Sequence, residues 1–153
     1  MGLDAQLHAN RLLSPIEEAT IDNTVRDVVQ NLLDLKGVRY KTMVSIDVGE
    51  FRRPHPAHDW ILANARIGLE RDGSNRYHLV HSQIRELRDR CAQAMGYRSL
   101  AGLRRPLTRG TDLEPDTEID ERCVHGLKAA YQVAEEALKL DEAEWEFEYS
   151  YSA

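Results

Sequence analysis

"EWEFEYSYS", residues 144–152, is the stretch whose reading decides the fold. Trp145, Phe147, Tyr149 and Tyr151 alternate with Glu146, Glu148, Ser150 and Ser152. A period of two, with aromatics on one side and acids or hydroxyls on the other, is the pattern of a β-strand with one buried face. Such a strand needs a core over its aromatic face and hydrogen-bonding neighbours along its edges. The matching neighbour lies at the other end of the chain. In "LDAQLHA", residues 3–9, Leu3, Ala5, Leu7 and Ala9 point one way and Asp4, Gln6 and His8 the other. The two ends are therefore predicted to pair in one sheet.

A third strand is expected near 41–48. "YKTMVSIDVGEF" sets Val44, Ile46 and Val48 on one face and Ser45 and Asp47 on the other, and Gly49 is expected to end or bulge it. Between the strands the period changes to that of helices. Ser14, Pro15 and Glu17 form a capping box and a first turn. Ile21, Val25, Val28, Leu32 and Leu35 follow as one apolar stripe, closed by Lys36 and Gly37, so a single helix is predicted over 15–36. "PAHDWILANARIGLE", residues 56–70, reads as a helix with a weaker stripe, and "DGSN", 72–75, as a turn. "YHLVHSQIRELRDRCAQAMG", residues 77–96, contains a helix capped by Ser82, striped by Ile84, Leu87, Cys91 and Met95 and ended by Gly96, and His78 lies in a strand-like alternating stretch just before it. A last helix is predicted over Ile119–Leu140, with Val124, Leu127, Tyr131, Ala134 and Leu138 on one face.

Strands that alternate, instead of running apolar throughout, belong to a sheet with one wet face. The fold class is thus α+β, one domain over 1–153. It has a small antiparallel or mixed sheet (N-terminal strand, strand near 41–48, C-terminal strand 145–151) and three to four helices packed on one face. Asp4, Gln6, His8, Ser45, Asp47, Glu146 and Glu148 would line the other face, which is also the form a partner-binding surface takes.

Composition narrows the functional classes. With 42% hydrophobic and 30% charged residues among 153, the chain has enough apolar content for one core and too little charge for a disordered segment. No apolar run approaches the roughly 20 residues that span a bilayer, so no membrane association is expected. The start "MGLDAQLHAN" lacks a basic segment followed by an apolar one, and Gln6 stands where a myristoylation signal needs Ser or Thr. Two cysteines, Cys91 and Cys123, fall at apolar-periodic helix positions and are expected as free thiols in a cytoplasm. The charge is uneven. Residues 1–111 carry 17 Lys and Arg against 13 Asp and Glu, whereas residues 112–153 carry 3 against 13. Such asymmetry marks either a steering face or solvated acidic segments.

Four stretches together resemble a family of small, uncharacterised proteins encoded by phages and prophages. The family begins Met-Gly-Leu-Asp-Met-Tyr-Leu, and here "MGLD" stands at 1–4 with Leu7 kept. Its middle motif, Val-Gly-Tyr-Trp-Arg-Lys-Ala-Asn-Ala-Ile-His-Lys-Trp, is similar to "VGEFRRPHPAHDW", 48–60. Val48, Gly49, Arg52, His58 and Trp60 match, Phe51 replaces a tryptophan and His55 an asparagine. "QIRELRDRC", 83–91, resembles Gln-Leu-Glu-Glu-Leu-Arg-Asp-Arg-Cys, and the ending "WEFEYSYSA" resembles Trp-Glu-Phe-Tyr-Tyr. Two features depart from the family: the longer helix at 15–36, and "RPLTRGTDLEPDTE" in place of a Gly- and Phe-rich loop. The resemblance implies a phage or prophage accessory protein and carries no activity.

"RRPHPAHDW", residues 52–60, concentrates the candidate chemistry. Arg52 and Arg53 before a helix start can seat an anion, and His58 with Asp59 can do acid–base work, with Asp4 nearby across the sheet. The binding candidates are Asp4, Arg52, Arg53, His55, His58 and Trp60, and the catalytic candidates His58, Asp59 and Arg52. A purely structural role is also open: Pro54 and Pro56 shape the turn, Trp60 anchors it, His58 bonds a backbone carbonyl, and Arg52 pairs with Asp4 or Asp47. His55, His58, His78 and His81 form two His-x-x-His pairs. Prolines bracketing His55 and a strand-to-helix junction after His78 oppose their convergence, so no metal and no cofactor is expected. No phosphate-binding loop or nucleophile elbow is present. Residues 85–110 hold seven arginines against two acids, but one tyrosine and an acidic whole argue against nucleic acid. The expected function is binding a host or phage protein, or a second copy as a homodimer, rather than catalysis. The alternative is a small-ligand, nucleotide or hydrolytic site around Arg52, His58, Asp59 and Asp4.

Overall fold

A computed structural model of the protein describes residues 4–21, 23–34, 41–51, 55–69, 75–103 and 119–152. The aromatic C-terminal strand, β5 (Glu146–Ser152), runs antiparallel to two neighbours. On one side is β1 (Asp4–Leu12), in register from Asp4 opposite Ser152 to Asn10 opposite Glu146. On the other is β4 (Asn75–Leu79), with Tyr77 opposite Tyr149. β2 (Met43–Phe51) flanks β1 and β3 (Arg66–Leu69) flanks β4, so the order is β2-β1-β5-β4-β3, antiparallel throughout. The two ends of the chain pair as expected, and the last strand is the centre of the sheet.

Alternation sends Ala5, Leu7 and Ala9 of β1, Tyr77 and Leu79 of β4, and Phe147 and Tyr149 of β5 to one face, where all are buried. Three helices cover them: α3 (His58–Asn64), α4 (His81–Tyr97) and α5 (Glu121–Ala137). Trp60 and Ile61 of α3, Ile84, Leu87 and Cys91 of α4, and Leu127, Ala130 and Ala134 of α5 join the same core. Asp120 caps α5 by accepting from the Cys123 N–H at 2.8 Å. Gly49 is where α5 rests on the sheet. A Cβ there would stand 2.9 Å from Val133 Cγ2, so glycine lets helix and strand approach.

Gly49 also sits in a bulge. Leu7 faces Gly49 but His8 faces Asp47, so β2 holds one residue more than β1 across Val48. Gly49 therefore bulges the strand without ending it. The extra residue changes parity: Val44 and Ile46 lie on the face of Ala9 before it, and Phe51 lies on the face of Ala5 after it. Without the insertion, the buried Phe51 would point to the other side.

Several expectations are corrected. The predicted helix 15–36 is two helices, α1 (Pro15–Ala19) and α2 (Asn23–Leu32). The capping box is present, with Ser14 N–H donating to Glu17 at 2.8 Å. Thr20 then turns its hydroxyl back onto the Glu17 carbonyl at 2.7 Å, and the run Thr20-Ile21-Asp22-Asn23-Thr24 offers no strong helix former to carry the helix through. The stripe is not core either: Val25, Val28 and Leu32 are 54%, 59% and 79% exposed. Leu35, Lys36 and Gly37 lie outside the described residues. The predicted helix 56–70 stops at Asn64, whose side chain bonds the Trp60 carbonyl at 2.8 Å, and Ala65 turns extended into β3. Four residues of strand are too short for alternation to be read against a helical pattern. Of the expected turn at 72–75, Asn75 already belongs to β4 and the rest lies outside the described residues. α4 starts one residue before Ser82, with Val80 at the cap and its N–H held by Gln83 at 2.9 Å. It ends past Gly96, at Arg98 in the left-handed conformation, φ 49°.

Trp60 is 4% exposed, with the Arg90 guanidinium 6.0 Å from its ring centre. Trp60→Ala is expected to cost about 3–5 kcal/mol in urea unfolding. An unchanged midpoint would show that the ring is not part of the core.

Candidate functional site

The sequence-predicted site falls where β2 ends and α3 begins. Phe51 closes the strand, Pro56 and Ala57 form a turn, and the His58 N–H reaches back to the His55 carbonyl at 3.2 Å. Both imidazoles lie against the aromatic side chains of the sheet. His55 stacks on Phe51, with ring centres 4.4 Å apart and planes at 16°. His58 meets Tyr151 edge-on at 4.8 Å, and its Nδ1 is 2.6 Å from the Tyr149 hydroxyl. Tyr77 completes the group, its hydroxyl 3.5 Å from that of Tyr151.

Electrostatics hold this group neutral. Burial, followed by the nearby His58, lowers the His55 pKa from 6.5 to about 3, and His55 Nε2 is buried without a hydrogen-bond partner. Burial also lowers the His58 pKa, against the upward pull of Asp59. The Tyr149 phenol is pushed above its ordinary range by burial first, then by Tyr151, Tyr77 and Asp59. Two uncharged partners therefore share the 2.6 Å contact, which joins residues 91 positions apart and pins the junction to the central strand. What the arrangement does best is hold α3 against the sheet.

The other predicted residues scatter. Trp60 is core and Asp59 is exposed on the first turn of α3. His58 bonds Tyr149, neither Asp59 nor the backbone carbonyl expected of it, because the neighbouring strand puts a phenol at the place where the ring arrives. Asp47, one expected partner of Arg52, is bonded by His8. Arg52, Arg53 and the Asp4 side chain lie outside what the structure describes. The four histidines do not meet. His78 falls on the opposite face of the sheet from Tyr77, and His81 is buried in α4, its Nε2 donating to the Leu140 carbonyl at 2.9 Å beside Phe147. Among the described residues no group of three His, Cys, Asp or Glu side chains could hold a metal ion. Burial raises the Cys91 thiol to about 12 and, with Asp120 beside it, raises that of Cys123, so neither is a ready nucleophile.

Tyr77, Tyr149 and Tyr151 were not among the site candidates. Alternation marks them as core-facing, but no local signal couples them to His55 and His58, which for Tyr149 and Tyr151 lie more than ninety residues away.

The unfolded chain binds a proton at His55 below about pH 6.5, whereas the folded chain does so only near pH 3. Stability is therefore expected to fall as pH is lowered through that window, and His58 acts in the same direction. His55→Phe keeps the stack and removes the titration, so its urea midpoints at about pH 4.5 and about pH 7 should differ less than those of the wild type. Equal differences would show that His55 does not couple folding to protons. Compared with known proteins, the chain matches no family model, no curated protein and no solved structure.

Proposed function

We propose that the chain is a phage- or prophage-type accessory protein that acts by binding a protein partner through a basic, apolar segment of that partner. The observation that carries this reading is a groove of about 590 Å³ at one end of the sheet. Leu12, Leu13, Met43 and Trp145 form its apolar part, and carboxylates of Glu17, Glu142, Glu144 and Glu146 surround them. One cation, Arg11, lies among these lining residues, bound to Glu17 at 2.8 Å and Glu144 at 3.1 Å. The groove thus keeps a negative balance. Leu12 and Met43 face each other across the β1–β2 ladder and are 56% and 53% exposed, although a folded chain gains by burying such side chains.

The unburied stripe of α2 and the exposed Ile16 of α1 add apolar surface on the same β1–β2 connection. Contiguous apolar surface rimmed by charge is what a protein partner recognises. The lining carboxylates Glu142, Glu144 and Glu146 would steer a basic partner toward it. The same acidity disfavours nucleic acid. A small-ligand or hydrolytic site around Arg52, His58, Asp59 and Asp4 has less support, because His58 is engaged by Tyr149. A bacterial cytoplasmic setting belongs to the proposal and is supported by the two free thiols. No helix of the described residues is long and apolar enough to cross a membrane.

Affinity capture from a bacterial host and light scattering on a sizing column, each run beside a Leu12→Ser, Glu146→Lys double variant, test the proposal. One stoichiometric partner, or a salt-sensitive second copy, should bind at least about tenfold more weakly to the variant, about 1.4 kcal/mol. Identical capture and mass for both proteins would count against the groove.

A further inference from the structure

The face of the sheet turned away from the helices carries an ordered row of charges. Asp47 of β2 faces His8 of β1, His8 faces Glu148 of β5, Glu148 faces His78 of β4, and His78 faces Arg66 of β3. Glu148 is 7% exposed and is held by Arg76 at 2.6 Å and Asn10 at 3.5 Å. Within this row His8 makes two side-chain contacts, one from each ring nitrogen. Nδ1 is 2.7 Å from Asp47 Oδ1, and Nε2 is 3.3 Å from Ser150 Oγ.

The bulge at Val48 makes this possible. An unbroken ladder would set Val48 opposite His8, whereas the extra residue sets Asp47 there. The acid then fixes the tautomer of the ring. An ionised carboxylate only accepts, so Nδ1 bears the proton. In the neutral imidazole Nε2 is then the lone-pair nitrogen, and the Ser150 hydroxyl is placed to donate to it. A hydroxyl nucleophile, a base and a carboxylate that orients the base are the three parts of an activated serine, recognised by geometry and not by fold.

We infer that Asp47, His8 and Ser150 form an acyl-transfer site on the open face of the sheet, with carboxylic esters as its substrates. Ser150 Oγ bonds to the acyl carbon as His8 Nε2 takes the hydroxyl proton. The ester C–O bond breaks and His8 returns that proton to the leaving alcohol. Water then attacks the acyl-serine, gives one proton to His8 and releases the acid, and the proton goes back to Ser150. The sum is ester plus water to acid plus alcohol. Ser150 and His8 are the catalytic residues and Asp47 a positioning residue. The His8 side chain is 23% exposed and that of Asp47 84%, so an ester carried on a larger molecule can reach the pair. The same exposure lets solvent screen the Asp47–His8 interaction, and turnover should be slow.

Diisopropyl fluorophosphate is the test reagent. Ser150 Oγ displaces fluoride from phosphorus, the proton passes to His8, and the adduct is located by peptide mass. Labelling of the folded protein is expected at Ser150. It should slow at least about tenfold in His8→Gln and severalfold in Asp47→Asn, with more of the rate kept in Asp47→Glu than in Asp47→Asn. Ser45→Ala, on the same face, should leave the rate unchanged. The p-nitrophenolate burst from p-nitrophenyl acetate should disappear in Ser150→Ala. Circular dichroism checks that each variant is folded. Asp47 is an exposed edge-strand residue, so its variants give an answer even where His8→Gln does not fold. Labelling spread evenly over the serines, or a Ser150 rate unchanged in Asp47→Asn, would overturn the inference.

Discussion

Everything in this molecule depends on the pairing of its first strand with its last. β5 is central, so its hydrogen bonds to β1 and β4 join the two halves of the sheet. Phe147 and Tyr149 are fully buried at that centre, and the helices pack over them. Loop closure between residues near positions 4 and 152 is entropically costly, and the aromatic stripe offsets it by burying large apolar surface in a single step. Contacts of such long sequence separation also make for slower folding than a helical bundle of equal size.

One inserted residue in β2 does three things. It keeps Phe51 on the core side after Val44 and Ile46 have taken that side. It puts Gly49 under Val133, so that α5 can lie against the edge of the sheet. It also moves Asp47 opposite His8 on the other face. A local irregularity thus sets packing on one side of the sheet and charge pairing on the other, because a strand's two faces share one backbone.

The two faces treat histidine in opposite ways. On the helix side His55 and His58 are kept neutral by burial among aromatic rings, and His58 works as a hydrogen-bonding pin on Tyr149. On the other side His8 lies between a carboxylate and a hydroxyl and is only partly buried. The histidine-rich motif that draws attention in the sequence is the structural one. The isolated His8, which its strand pattern marks only as a polar residue, has the partners that chemistry needs.

The sequence by itself determined the class of fold, the terminal strand pair and the division of β1 and β5 into two faces, because periodicity is a local property and burial follows it. The Ser14 capping box and the last helix were legible for the same reason. Only tertiary structure decided the rest. Nothing local distinguishes an apolar stripe that meets a core from one that does not, so the stripe of α2 read as buried and is exposed. The four residues of β3 are a strand because β4 pairs with them. Register across β1, β2 and β5, which depends on partners in three dimensions and on one extra residue, brings Asp47, His8 and Ser150 together from positions no sequence motif connects.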